Sequence, residues 1–452
     1  MSLKALHNQE KVLVVGAGIA GLSAALLLAR AGKKVEIWEA AKQGGGLLAP
    51  VDFCGIACDR GSHRIHPQSD PILLELTSSE EWRERPRKGK LILNQRHIPY
   101  PPSPLKFLKG LGPMAALDMG LGFVLRPNSL RRFTHWEMER SKMPLEDEGF
   151  EEFVLQRVGK GAYERFYRPY AEKVWGEEPA KLSRTVAKQR VSTSAPWQTL
   201  LGALQKPKKN RSSVFLYPRR GMTGLLQSLR YKVEEAGVQM RYAKRFSVES
   251  FSELDFGAVF FSGHLSDLVD SAPLKHRGLY LLHMSFPTGT VGEEDTFYSP
   301  EKDYWFGRVS QIERFSPDLR VSGKNILCVE IPEGRWGSQQ DFTKDPQPLL
   351  EQLQKAQIIR EGASLLDIKQ TFIPRVYPIY RRGWFQDWKN AMQVLQEHQR
   401  IWPIGRQGLF LHCNMDHCVR ISQDAVSHLL EGGNGTSWIQ KADQYLDLRV
   451  RD

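Results

Sequence analysis

The chain has 452 residues, 41% of them hydrophobic and 25% charged, with a net charge of +12 and a pI of about 9.4. That length can bury a large core across two closely joined domains, and the balance excludes a disordered or fibrous protein. A basic surface attracts anions, but the Lys and Arg residues are dispersed and no recognition module is present, so nucleic acid is not an expected partner.

The polar start MSLKALHNQE carries no signal-peptide pattern, so a reducing cytoplasm is the expected compartment. The first element is a short β-branched run, Lys11–Val15, the pattern of a buried parallel strand. It ends in Gly16-Ala17-Gly18-Ile19-Ala20-Gly21, a GxGxxG turn leading into an Ala/Leu helix. Gly16 permits the tight turn, Gly18 lets backbone approach a pyrophosphate, and Gly21 lets the helix lie close on the sheet. The unpaired amides at that helix start favour an anion. Gly32 stops the helix, and Val35–Trp38 is a second strand with Glu39 at its end. A carboxylate there accepts hydrogen bonds from a ribose and repels a 2′-phosphate, which excludes NADP at this site. Gly44-Gly45-Gly46 adds a second glycine loop beside the pyrophosphate, and no second GxGxxG follows a strand downstream, so one tightly held FAD is expected.

After residue 70 the sequence turns to Trp-, Tyr- and Arg-rich helical segments. Phe107–Val124 is apolar with basic flanks, but Lys109, Pro113, Asp118 and several glycines argue against a spanning helix. It is expected to cover a cavity; contact with a membrane surface stays open but is not favoured. Glu151–Trp175 spaces its apolar residues as a helix does, and Lys206–Arg211 reads as a solvated basic loop. Phe215–Pro218, an amphipathic helix ending at Gly237 and the buried strand Phe256–Ser262 bring the chain back to the cofactor sheet. Tyr280–Ser285, Ile326–Ile331 and Lys369–Val376 suit a second sheet. A third return runs from Arg400 to His412, and Asn414-Met415-Asp416 opens a last helix whose positive end can face a negatively charged cofactor. The five cysteines lack metal-ligand spacing and are expected as core or loop thiols; no metal is expected.

The ordered set of the N-terminal fingerprint, CDRGSHRIHP (58–67), RHIPYP (96–101), FYRPYAEKVWGEEPAKLSRTVAKQRVS (166–192), FLYPRRGMTGL (215–225), FGRVSQIERFSP (306–317) and GRQGLFLHCNMD (405–416) resembles the FAD-dependent superfamily of UDP-galactopyranose mutase, protoporphyrinogen oxidase and amine oxidases. The mutase-like bacterial oxidoreductases are the nearest in look. The resemblance implies an α/β fold: a Rossmann-like FAD-binding domain with an inserted α+β substrate domain of helices and a mixed or antiparallel sheet. The cofactor domain would comprise 1–70, 215–265 and 395–452, and the substrate domain 71–214 (helical) and 266–394 (sheet).

Carried over by position, Gly16, Gly18, Ile19, Ala20 and Gly21 would meet the pyrophosphate, Glu39 with Ala40 the adenosine ribose, and Gly45 and Gly46 the same cofactor. Gly61, Ser62 and His63 would lie against the flavin, and Gly405, Arg406, Asn414, Met415 and Asp416 would close over it. His63 and Arg308 are the catalytic candidates. Two departures stand out: Gly46-Leu47 replaces an arginine common in amine oxidases, and His412-Cys413 replaces a tyrosine pair of mutases. The second departure favours an oxidoreductase taking hydride from a small, anionic or biosynthetic substrate onto flavin N5. The alternative is a mutase-like enzyme acting on a nucleotide sugar through reduced flavin, with no net redox change.

Overall fold

The computed structural model describes residues 11–100, 114, 117–118, 121, 149–190, 214–249, 251–270, 273–334, 337–446, 448 and 450. Most of the apolar stretch 107–124, the basic loop 206–211 and Trp336 lie outside them. The chain opens with β1 (Lys11–Val15), α1 (Ile19–Arg30) and β2 (Lys34–Trp38), followed by the ribbon β3 (Val51–Phe53) and β4 (Ile56–Cys58). A short helix α2 (Pro71–Leu76) precedes β5 (Trp82–Pro86), β6 (Gly89–Leu93) and β7 (Arg96–Tyr100). Helices α3 (Phe150–Ala162) and α4 (Arg168–Trp175) replace the single helix expected over 151–175. Gly159 breaks it with φ of 78°, and a wide turn over Tyr163–Tyr167 joins the halves. Next come β8 (Val214–Pro218), α5 (Gly221–Glu235), β9 (Gln239–Arg241) and β10 (Ala258–Phe261). Then follow β11 (His276–Pro287), β12 (Thr296–Tyr298), β13 (Arg308–Gln311), β14 (Lys324–Pro332) and β15 (Asp367–Pro378). The chain ends with β16 (Ile401–Pro403) and α6 (Met415–Leu430); a further short helix, Gly435–Ile439, follows the one expected to be last.

Two main sheets result. One is five-stranded and parallel, in the order β16-β10-β1-β2-β9, so three separated stretches of sequence supply its strands. Val12, Leu13, Val14 and Ile37 are buried on both faces, as a parallel sheet covered by helices requires. Each such side chain contributes roughly 1.5–3 kcal/mol on burial. The other sheet has seven strands, β15-β11-β14-β13-β12-β6-β7, antiparallel except where β12 meets β6. β8 joins neither: it pairs with β5 in a separate ribbon, while β9 and β10 of the same return enter the cofactor sheet. Trp175 is core packing, and Trp305 sits against the second sheet's core. Among the described residues, no helix is long and apolar enough to cross a membrane.

Candidate cofactor cleft and the arginine–histidine site

The turn after β1 is built by steric necessity. Gly16 has φ of 96°, and a Cβ there would stand 2.4 Å from Ser262 Oγ; a Cβ on Gly21 would stand 1.9 Å from the Gly16 carbonyl oxygen. Gly18 differs. Its added Cβ would make only an ordinary van der Waals contact, with the Gly46 Cα at 3.8 Å, so Gly18 and Gly46 face each other across a gap about one methyl wide. The Gly45 amide, donating to the Ala17 carbonyl at 2.8 Å, pins the second glycine loop beside the first.

α1 has Gly18 as its N-cap, no side chain capping it and no acidic residue in its first turn. The positive end of a twelve-residue helix is therefore left for an outside anion, with Ile19 and Ala20 at its first turn. Glu39 closes the far side. Its carboxylate accepts from the Ala17 amide at 2.7 Å and the Ala41 amide at 2.9 Å, so it stands at the mouth of the turn. Alongside is a solvent-open pocket bordered by Ala17, Gly44, Gly45, Leu226, Arg230 and Tyr242.

The C-terminal segment crosses the same helix start. Gly405 has φ of 70°, and a Cβ on it would clash with the Ala20 Cβ at 2.6 Å. On α6, Ser422 Oγ donates to the Ala20 carbonyl at 2.9 Å. Asn414 caps α6 in a reciprocal pair with His417. The buried Asp416 carboxylate accepts from the Asp70 amide at 3.0 Å, tying α6 to the loop before α2. A glycine-lined gap against an uncapped helix start, bordered by an acid, fits the diphosphate and ribose of a dinucleotide such as FAD.

Beyond the cleft, the loop 59–66 packs against the second sheet. Asp59 is 1% exposed; it accepts from Tyr217 Oη at 2.5 Å and the Met222 amide at 3.1 Å. Burial pushes its carboxyl up to about 7, with both hydrogen bonds pulling the other way. The Asp59 carbonyl accepts from His283 Nε2 at 3.0 Å, which fixes that tautomer. Burial likewise holds the His283 imidazole down at about 4. One aspartate thus joins β8, the start of α5 and β11.

Gly61, with φ of 88°, brings the loop against Glu330: a Cβ there would lie 3.2 Å from its carboxylate, which also accepts from the Ser62 amide at 3.0 Å. Glu330 stands directly opposite Arg308 in the β13–β14 register, and Arg308 donates to it from Nε and Nη2 at 2.7 Å each. Burial opposes the Arg308 charge, but Glu330 more than offsets it and holds the guanidinium well above its ordinary value. His63 lies within the field of this pair. Its Nε2 donates to the Arg60 carbonyl at 2.8 Å, leaving a lone pair on Nδ1. Burial first, then the Arg308 charge, press the His63 imidazole down to about 4, so it is neutral at pH 7.

Arg406 donates to the carbonyls of Cys413 at 3.2 Å and Val376 at 3.0 Å, and its guanidinium lies 5.5 Å from the Tyr377 ring. Tyr377 and His412 stack at 5.9 Å. Arg64 bridges Asp295 at 3.5 Å and the Tyr298 hydroxyl, with Phe215 and Phe315 on its faces at 5.3 and 5.5 Å. Lys173 donates to the carbonyls of Ser299 at 3.0 Å and Phe306 at 3.1 Å, and burial lowers its ammonium to about 7.

The structure therefore brings the expected glycines, Glu39 and the C-terminal segment to one cleft, and His63 and Arg308 to one neighbourhood. Glu330, Asp59, Tyr217, His283 and Tyr377 were not anticipated. Glu330 had a signal: a lone carboxylate inside the apolar run 326–331 has to be paired once buried.

Fold and cleft together have the α/β architecture of dinucleotide-binding flavoenzymes. Residues 14–77 match the family described as "NAD(P)-binding Rossmann-like domain". Over 433 residues, 91% of this chain and 96% of the relative, the sequence is 22% identical to dTDP-fucopyranose mutase of Escherichia coli. L-amino acid oxidase Lm29 of Lachesis muta is 50% identical over 97 residues, 21% of this chain and 17% of the relative. Among solved structures, reduced UDP-galactopyranose mutase superposes with a TM-score of 0.78 at 18% identity, covering 98% of this chain and 100% of that one. The fold is that of these flavoenzymes, and FAD is the cofactor it implies.

Proposed function

We propose that this protein is an FAD-dependent enzyme that rearranges the sugar ring of a nucleotide-linked sugar without net redox change. The observation that carries this reading is the extent of its likeness to a sugar mutase, 433 residues, against 97 for the amino acid oxidase. That difference reverses the order in which the sequence alone ranks the two chemistries. The cations support it: Arg64, Arg308 and Arg406 are each braced by carboxylates or carbonyls, a pre-set field for an anionic substrate.

In this reading the FAD diphosphate rests on Gly16, Gly18, Gly21 and the amides of Ile19 and Ala20. Glu39 and Ala40 take the ribose, Gly45 and Gly46 flank the diphosphate, and Gly61, Ser62, Gly405, Arg406, Asn414, Met415 and Asp416 frame the flavin end. Reduced FAD supplies an electron-rich ring able to engage a sugar carbon. The chain's own share is positioning. Arg308, fixed through Nε and Nη2, keeps Nη1 for the substrate, and the neutral His63 offers Nδ1 as an acceptor without adding charge. A second reading, an oxidoreductase removing hydride from its substrate, is favoured by His412 and Cys413 standing where mutases carry two phenols.

The test offers dTDP- and UDP-hexopyranoses to dithionite-reduced and to oxidised protein. Formation of the five-membered-ring isomer by the reduced form alone is expected. No ring isomer, with amines or amino acids bleaching the flavin and consuming oxygen, overturns the mutase reading in favour of the oxidoreductase.

A further inference from the structure

The start of α6 carries two thiols that the cofactor cleft and the arginine–histidine site leave unused. Its cap, Asn414, exchanges hydrogen bonds with His417 in a capping box. The residue before such a cap and the fourth residue after it commonly form a pair of apolar side chains that staples the incoming chain to the helix. Here both staple positions are cysteines. Cys413 and Cys418 are 3% and 6% exposed, and their sulfurs lie 3.6 Å apart. All five cysteines of the chain are free thiols. A disulfide bond is about 2.0 Å long, so an approach of about 1.6 Å separates this contact from a covalent link.

The surroundings divide the two sulfurs into unlike partners. The two thiols share one hydrogen bond in which either sulfur can be the donor; that bond holds the Cys418 thiol below its ordinary value despite burial, the Arg406 backbone N–H and the Arg406 charge act in the same direction, and Asp416 opposes them. Cys413 is pushed well above its ordinary value, by the same bond first and then by burial. The amides of the first turn of α6 add further positive potential. An activated sulfur in contact with a second sulfur is the arrangement of an attacking and a resolving thiol.

We propose that Cys413 and Cys418 form a reversible redox pair that closes to a disulfide at the start of α6 on exposure to hydrogen peroxide. The Cys418 thiolate attacks one peroxide oxygen, the O–O bond breaks, and the departing hydroxide leaves as water after taking a proton, so Cys418 becomes a sulfenic acid. The Cys413 sulfur then attacks the Cys418 sulfur. The S–O bond breaks, the Cys413 proton leaves with the hydroxyl as a second water, and the disulfide forms. Two thiols lose two electrons, and one peroxide becomes two waters. Peroxide is small enough to reach a pair as buried as this. The link would draw on the segment that carries His412, stacked on Tyr377, and the Cys413 carbonyl that anchors Arg406. Oxidation would therefore be felt at the edge of the site.

Treating the FAD-loaded protein with peroxide, counting thiols after denaturation and mapping the peptides tests this directly. Loss of two of the five thiols is expected, joined in a single 413–418 linkage and restored by dithiothreitol. With Cys413→Val, which keeps an apolar staple, the Cys418 sulfenic acid has no resolving thiol, and a dimedone adduct at Cys418 is expected. Survival of both thiols at a peroxide dose that oxidises the more exposed Cys54 would overturn the proposal, as would a linkage between any other cysteines.

Discussion

Replacing Glu330 with Gln keeps the outline of the side chain and removes one charge from the pair beside His63. The native carboxylate accepts from Arg308 twice at 2.7 Å and from the Ser62 amide at 3.0 Å, and it is 4% exposed against 27% for Arg308. Removing one partner of a buried ion pair costs about 3–5 kcal/mol, because the remaining charge is stranded. Arg308 keeps some contact with water, which places the expected loss near the lower end, about 3 kcal/mol. The glutamine amide N–H would also confront a guanidinium N–H, donor against donor. Urea unfolding of wild type, Glu330→Gln, Arg308→Met and the double variant measures the coupling. The double variant is expected to be more stable than Glu330→Gln alone, because the stranded charge is gone. A single-variant loss below about 1 kcal/mol, or strictly additive losses, would refute the claim that these charges brace one another.

Gly18→Ala is expected to fold, since its Cβ would meet no protein atom nearer than 3.8 Å, and to be purified without flavin absorbance because the methyl occupies the gap. Gly21→Ala, with its Cβ 1.9 Å from a carbonyl oxygen, is expected to lose soluble yield as well; equal flavin content in wild type and Gly18→Ala would contradict the assignment of that gap. The Asp59 carboxyl, raised from 3.8 to about 7, holds its proton in the folded state over a range where the unfolded chain has lost it. Its stabilising contribution is thus fully present below about pH 4 and lost as pH rises through about 7, by up to roughly 4 kcal/mol. Asp59→Asn removes that slope, so the stability of wild type relative to the variant is expected to fall between about pH 4 and pH 7; a constant difference would show that Asp59 ionises normally.

What could be read from the sequence was whatever is enforced locally. The GxGxxG turn is dictated by sterics at Gly16 and Gly21, and β11 and β14 advertise themselves as apolar runs. Partners fixed only by strand register or by loop docking were invisible: Arg308 faces Glu330 because β13 pairs with β14, and Asp59 meets Tyr217 across 158 positions of sequence. The break at Gly159 was hidden for another reason. Apolar spacing continues on both sides of it, so periodicity gives no sign that the backbone changes direction. Cys413 and Cys418 were legible as thiols, but their contact depends on the capping geometry at Asn414.

The placement of β16 has a consequence for biosynthesis. Among the described residues this edge strand pairs only with β10, and the helix that lies against Ala20 comes later still, after residue 414. A ribosome therefore has to make the chain past residue 414 before the nucleotide cradle can be completed. Until then the nascent molecule carries an unfinished sheet margin, the kind of surface that chaperones shield. FAD arriving early would find half a berth, so its capture has to wait until α6 has been made and can dock.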